Sequence, residues 1–428
     1  MSAFVTALER AFDGGTAPGP LVDLRRRAFE TFTRRGMPSP REEDWKYTDL
    51  SRVLGSSYAL SAAPTAAPTP PAYVGEAIRV VFVNGIYNAE LSALDALPPG
   101  VRIMRLHELA AREPAHLMPL LERQAAGRGG PFAALAAAFA ADGIHPEVGE
   151  NAAPDLPVHV VFLHTDTTAP LFCAPELLVQ AKRGSRLTLV ESHGGGTAPR
   201  CSAAVTEIAL EEGAALEHYR IVDEPAAANH LGQVYLRPGR NASVSSHSFV
   251  VGAGLARIDI HAELAAPGAA VALAGLFLAT GEAHIDHHVR IDHAMGHTTS
   301  KQVYKGIAKD RGRGVFNGKI AVHRGAQKIV ATQASNNLLL SEHAEIDTKP
   351  ELEIYADDVA CQHGATVGRL DDDALFYLRA RGVPRAVAEA MLTYGFADEV
   401  VAPITVPTLK DWLEAKLTGA ASGAQAAA

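Results

Sequence analysis

Between residues 156 and 368 apolar and polar positions alternate with period two, as in Ala215-Leu-Glu-His-Tyr-Arg-Ile-Val222, Ala242-Ser-Val-Ser-Ser-His-Ser-Phe249 and Ala270-Val-Ala-Leu-Ala-Gly-Leu-Phe-Leu278. Alternation sends successive side chains to opposite faces, so these stretches read as strands. Each begins just after a turn residue. Gly184, Gly213, Gly239, Gly268, Gly296 and Gly325 are separated by 29, 26, 29, 28 and 29 residues. A near-constant period that leaves no room for a crossover helix predicts a chain wound into stacked coils, each burying its inward row on the next. Such a stack is a stiff scaffold, and function is expected at its ends or edges.

On either side the pattern becomes helical. Leu21, Leu24, Arg25, Ala28, Phe29 and Phe32 recur at spacings of three and four, and helical stretches are predicted at Leu106 to Arg112, Leu117 to Ala125 and Pro131 to Ala141. Ser61 to Ala72 is rich in proline and small residues and reads as an extended linker. Arg79-Val-Val-Phe-Val-Asn84 is a buried-strand candidate ending in an Asn84-Gly85 turn. After residue 368, Asp371-Asp-Asp373 opens a helix that Gly382 closes. Pro384 suits the first turn of a second helix, whose stripe of Val387, Met391 and Tyr394 ends at Gly395, and a third carries Leu409, Trp412, Leu413, Lys416 and Leu417. The last ten residues are expected to fray. The chain thus divides into a mixed helical N-terminal domain (1–155), a β core (156–368) and a C-terminal helical domain (369–428).

Composition narrows the function classes. The 428 residues suffice for two or three domains, and the net charge of −9, from 48 acidic and 39 basic side chains, argues against nucleic acid, which needs clustered Lys and Arg. Aromatic residues are only 6% against 47% apolar overall, which suits thin, closely spaced core layers. Neither a secretory leader nor a stretch of about 18 apolar residues is present, so no membrane association and a cytoplasmic location are expected. Cys173, Cys201 and Cys361 are too few and too far apart for a disulfide framework and read as free thiols.

The sharpest chemical motif is Cys361-Gln-His363-Gly-Ala-Thr-Val-Gly368, where the repeat gives way to helix. On a strand, residues 361 and 363 point the same way, about 7 Å apart at a rise of roughly 3.3 Å per residue. Both can reach one soft or borderline metal ion, or they form a buried thiol beside a hydrogen-bonded histidine. Two ligands do not close a site, so further ligands would come from elsewhere in the chain or from a partner.

Other motifs read as structural. In His284-Ile-Asp-His-His-Val-Arg-Ile-Asp-His293, His284, Asp286 and His288 share one strand face, which is either a metal edge or a polar exterior row pairing across strands. His193-Gly-Gly-Gly196 reads as a loop without the Gly-Lys-Ser/Thr of a phosphate grip, and Arg311-Gly-Arg-Gly314 lacks dinucleotide spacing. Asn336-Asn337 after Gln333 suggests an amide ladder at a coil turn. Arg41 to Thr48, around Trp45 and Tyr47, reads as a helix cap or docking patch.

Taken together, these residues resemble the SufB/SufD family of the SUF iron–sulfur cluster assembly system. The likeness is carried by Gly314-Val-Phe-Asn-Gly-Lys-Ile, Ala326-Gln-Lys, the run from Asn337 to Asp358, the Cys361 to Gly368 motif and Leu375-Phe-Tyr-Leu-Arg-Ala-Arg-Gly382. Weaker echoes are Glu43-Asp-Trp-Lys-Tyr-Thr and Val83-Asn-Gly-Ile-Tyr87, and the Cys-x-His-Gly-Ala-Thr form looks like the SufD branch. The resemblance implies a right-handed parallel β-helix core and a non-catalytic scaffold role. It also implies pairing with a SufB-like subunit through the end of the helix, and a SufC-like ATPase docked on the C-terminal helices, with Leu375, Tyr377, Met391, Tyr394 and Phe396 as contact candidates. His363 becomes the ligand or iron-entry residue for a transient iron–sulfur cluster or iron shared with the SufB-like subunit, with Cys361 beside it and no stably bound cofactor on this chain alone. A homodimer is a further expectation for the isolated chain.

Two other classes compete. A β-helical carbohydrate enzyme would use acids and bases along a groove, with His284, Asp286 and Arg290 as lining residues. A pure interaction module would rely on the C-terminal helices, with no metal role.

Overall fold

From Val158 to Gly368 the chain runs strand, corner, strand, with no helix between them. Successive strands do not pair with each other; from Glu176–Ala181 onward each pairs in parallel with the strand two further on, so that Ala215 aligns with Ser243, Ser243 with Ala270 and Ala270 with Thr299. One coil therefore contributes one strand to each of two ten-stranded sheets. The result is a parallel β-solenoid of about eight turns in which strands make up 44% of the chain. The computed structural model describes residues 2–15, 21–60, 68–94, 97–127, 129–139 and 142–422.

The two sheets face one another across an apolar core. Leu187, Leu216, Val244 and Val271 of the first sheet meet Ile208, Leu236, Ile260 and Ile291 of the second, all buried. Burying such a side chain is worth about 1.5–3 kcal/mol, and the repeat supplies several per coil, which makes the alternation self-enforcing: a one-residue slip would turn each row outward.

The periodic glycines act in two ways. Gly184, Gly213, Gly268 and Gly325 have positive φ, the left-handed conformation that a side chain disfavours. Gly239 and Gly296 do not; there Asn241 and His297 take the left-handed turn, and the glycine instead lets backbones approach, since a Cβ would lie 2.7 Å from Leu210 O and 2.8 Å from Gln327 O respectively.

Strands before residue 156 extend both sheets. Ile78–Val83 pairs in parallel with Val158–Leu163 and forms a hairpin with Ile86–Ala93 through Asn84-Gly85, both at positive φ as a tight two-residue turn requires. Gly143–Val148 joins the second sheet.

Helices cover the outer faces. Ala3–Gly15 and Pro131–Phe139, with Trp45, pack on Cys201, Val205, Leu231 and Leu255 of the second sheet. Arg385–Val401 and Pro407–Ser422 pack on Tyr219, Phe249, Leu276 and Ile307 of the first. Asp371 caps Asp372–Ala380 by accepting from the N–H groups of Asp373 and Ala374.

Two sequence expectations shift. Gly395 does not stop its helix, which continues to Val401 because Ala397, Val400 and Val401 bury on the sheet. The final helix persists to Ser422, past the expected fraying point. Residues 61–67 of the linker, 140–141 of the third N-terminal helical stretch and 423–428 lie outside the described residues.

Candidate functional site at the open end of the solenoid

The last strand of the first sheet, Val359–Gly368, has a neighbour on one side only. In its parallel register with Ile329–Leu339, Cys361 lies opposite Ala331 and His363 opposite Gln333. Ala331 and Gln333 are buried in the inward row, while their neighbour Val330 faces out and is 51% exposed. Cys361 and His363 therefore continue an interior row one layer beyond the last covered coil. Cys361 is half-buried against the end of the core, and His363 is exposed.

Burial pushes the Cys361 thiol up from its ordinary value, so a bound cation would be needed to hold it as thiolate at neutral pH. Among the described residues no third His, Cys, Asp or Glu converges with Cys361 and His363 on a metal-sized position. The pair fits a soft or borderline ion, but as an incomplete ligand set. Cys173 and Cys201 are free thiols buried in the interior, far from ionisation: desolvation lifts Cys173 to about 12 and Cys201 further still.

The terminal coil is pinned by side-chain amides. Asn337 Nδ2 donates to Thr366 O (3.0 Å) and Ser335 Oγ (3.1 Å), and Gln333 Nε2 donates to Gly318 O (2.9 Å). These amides do satisfy backbone groups, but from inside a strand and not at a coil turn, because Gln333 and Asn337 belong to the inward row.

The His284–His293 strand is no open groove. His284 Nε2 lies 3.0 Å from Thr48 Oγ1, Thr48 also donates to Asp286, and Arg257 Nη1 bonds Asp286 Oδ2 at 3.2 Å. Asp286 is fully buried under the N-terminal segment, and Arg290 is taken up by Asp292. The Arg41–Thr48 segment is thus the docking patch that covers this row. His193 also differs from expectation: it lies within the strand Arg186–Gly194 and is buried, not part of a loop.

On the C-terminal helices Tyr377 and Met391 are 56% and 51% exposed, whereas Leu375 is buried and Tyr394 and Phe396 lean on the sheet cluster. Phe376 and Val387 are likewise exposed, at 74% and 48%; helical spacing alone did not single out Phe376. Among the described residues no helix is long and apolar enough to cross a membrane.

Comparison with known proteins agrees with this architecture. Residues 162–396 match the SufBD core domain of the SUF system for FeS cluster assembly, and residues 15–160 match the SufBD N-terminal region. The iron-sulfur cluster assembly protein SufD of Escherichia coli is 30% identical over 395 residues, covering 91% of this chain and 90% of that protein. A SufBD family iron-sulfur cluster assembly protein of Synechocystis is 29% identical over 415 residues, covering 94% and 91%. The SufD protein of Bacillus subtilis is 28% identical over 285 residues, covering 65% and 64%. The chain belongs to the SufBD family of iron–sulfur cluster assembly proteins.

Proposed function

We propose that the chain is a non-catalytic scaffold subunit of a cytoplasmic SUF complex, pairing end to end with a SufB-like subunit and carrying a SufC-like ATPase on its C-terminal helices. The observation that carries this reading is the placement of His363: exposed, on the last strand of its sheet, whose outer edge has no neighbour, in an interior row whose next layer would have to come from another chain. A partner strand added at that edge would satisfy its free backbone groups and bring ligands to complete those of Cys361 and His363. Iron and the nascent cluster are here cargo shared across the junction, not a resident cofactor. The exposed Phe376, Tyr377, Val387 and Met391 support the second contact, since large apolar side chains grouped on neighbouring helices favour burial against a partner.

Co-expression of the chain with SufB-like and SufC-like subunits, followed by anaerobic iron and sulfide reconstitution, tests the reading. A stable complex that assembles a cluster transferable to an apo-acceptor supports it. A chain that purifies alone under these conditions, and whose omission leaves cluster assembly unchanged, contradicts it.

A further inference from the structure

Away from the tip, the interior of the solenoid turns polar where the strands Arg186–Gly194, Ala215–Asp223 and Ala228–Pro238 meet at a corner. His193 is the next-to-last residue of the first, Glu224 directly follows the second, and His230 lies in the third; all three are buried. One ligand atom from each lies within 4.8 Å of the others.

Hydrogen bonding fixes which atoms are free. His193 Nε2 is 2.7 Å from Glu191 Oε1; a carboxylate only accepts, so Nε2 carries the proton and Nδ1 presents a bare lone pair. That Nδ1 has no hydrogen-bond partner, and neither does Glu224 Oε2, whose nearest charge is Arg200 Nε at 3.5 Å. His230 Nε2 accepts from Arg220 Nη2 at 2.9 Å, which leaves its Nδ1–H facing Glu224 Oε1 at 3.3 Å.

We propose that His193, Glu224 and His230 form a buried divalent-metal site, separate from Cys361 and His363, for a borderline ion of the ferrous or zinc class. Two imidazoles and one carboxylate are a donor set for such ions and not for the all-oxygen preference of Mg²⁺ or Ca²⁺. Burial holds His193 down at about 4, so its ring is neutral and able to coordinate at physiological pH. Burial alone would raise Glu224, but the His230 hydrogen bond and the Arg200 charge outweigh it and keep the carboxylate ionised. Glu224 also borders a surface cleft of about 1010 Å³ whose charged lining is mixed, with Asp223, Glu282 and Asp310 alongside Arg52, Lys309 and Lys416.

Binding by His230 moves its proton from Nδ1 to Nε2, which exchanges the Nδ1–H bond to Glu224 for the ion and ends the bond from Arg220 Nη2, while Arg220 keeps Glu191 and Thr206 through Nη1. Arg200 and Arg220 already balance Glu224 and Glu191. The arriving ion therefore adds uncompensated charge to a buried site, which weakens its hold.

The test uses the full chain with His363→Ala, stripped by chelation and titrated anaerobically with Co²⁺ alone. The site is expected to take up one Co²⁺ with the weak visible bands of nitrogen and oxygen ligation and no thiolate charge-transfer band, and to gain thermal stability on binding. Glu224→Gln, which preserves shape, and His193→Ala are expected to weaken binding at least tenfold. Failure of the His363→Ala chain to bind Co²⁺ at millimolar concentration overturns the proposal without reference to any further variant. So does equal binding by a folded Glu224→Gln chain.

Discussion

The guanidinium of Arg257 lies 3.7 Å from the ring centroid of Trp45, joining the N-terminal segment to the outer face of the second sheet. Arg257 also donates to Asp44 O at 2.6 Å and to Asp259 Oδ1 at 2.8 Å, and it neutralises the buried Asp286. Trp45→Ala removes a buried indole and the cation–π contact, and it is expected to destabilise the chain by about 3–5 kcal/mol. Denaturant unfolding checks this. A loss near the ~0.5 kcal/mol of an ordinary surface change would mean that the segment is not docked.

Glu176 gives the fold a pH dependence. It is fully buried, neither carboxylate oxygen has a hydrogen-bond partner, and burial together with the Glu207 charge pushes it up to about 8 against the pull of Arg25. The folded state thus holds this proton more tightly than the unfolded chain, where a glutamate titrates near ~4.3. Stability from this group is complete below that lower value and declines as pH rises through about 8, by at most about 1.4 kcal/mol per pH unit. Glu176→Gln stays neutral throughout and is expected to flatten the fall in unfolding free energy between pH 5 and 8. An unchanged slope would contradict the assignment.

Asn337 ties the last strand to the rest of the coil. Asn337→Ala removes the donors to Thr366 O and Ser335 Oγ, at a cost of about 1–3 kcal/mol. Because the last coil has no layer beyond it, the loss should be local. Amide hydrogen exchange across 359–368 is expected to accelerate while the strands from 215 to 293 keep their protection; uniform acceleration would show that the tip is not an independent unit.

Much of this architecture is legible in the sequence. The inward rows through residues 215–278 are apolar enough for period-two alternation to show, and the glycine spacing marks the coils. Legibility failed where inward rows turn polar: His193 looked like loop beside three glycines, and nothing in the separations of His193, Glu224 and His230 announces that a solenoid corner brings them together. It failed again at Asp286, whose partner Thr48 is 238 positions away. Gly395 signalled a helix end from local propensity, and burial of the residues beyond it overrode that signal. At the tip the Cys361 and His363 pattern was readable because both the strand and its terminal place follow from the repeat.

The exposed helical surface is separable from the core. Phe376→Glu combined with Met391→Glu changes side chains that are 74% and 51% exposed, so unfolding free energy is expected to shift by less than about 1 kcal/mol. Capture of the SufC-like ATPase should fall at least tenfold in a pull-down. Undiminished capture would move that contact elsewhere.

The central claim is that His363 works at a junction between subunits. Its side chain is exposed, so His363→Ala should leave both folding and co-elution with the SufB-like and SufC-like subunits unchanged. The decisive measurement is the iron and acid-labile sulfide content of that assembled variant complex after anaerobic reconstitution. A loss of most of the cluster, with subunit stoichiometry intact, is the expected result; full cluster content on the His363→Ala complex would contradict the account.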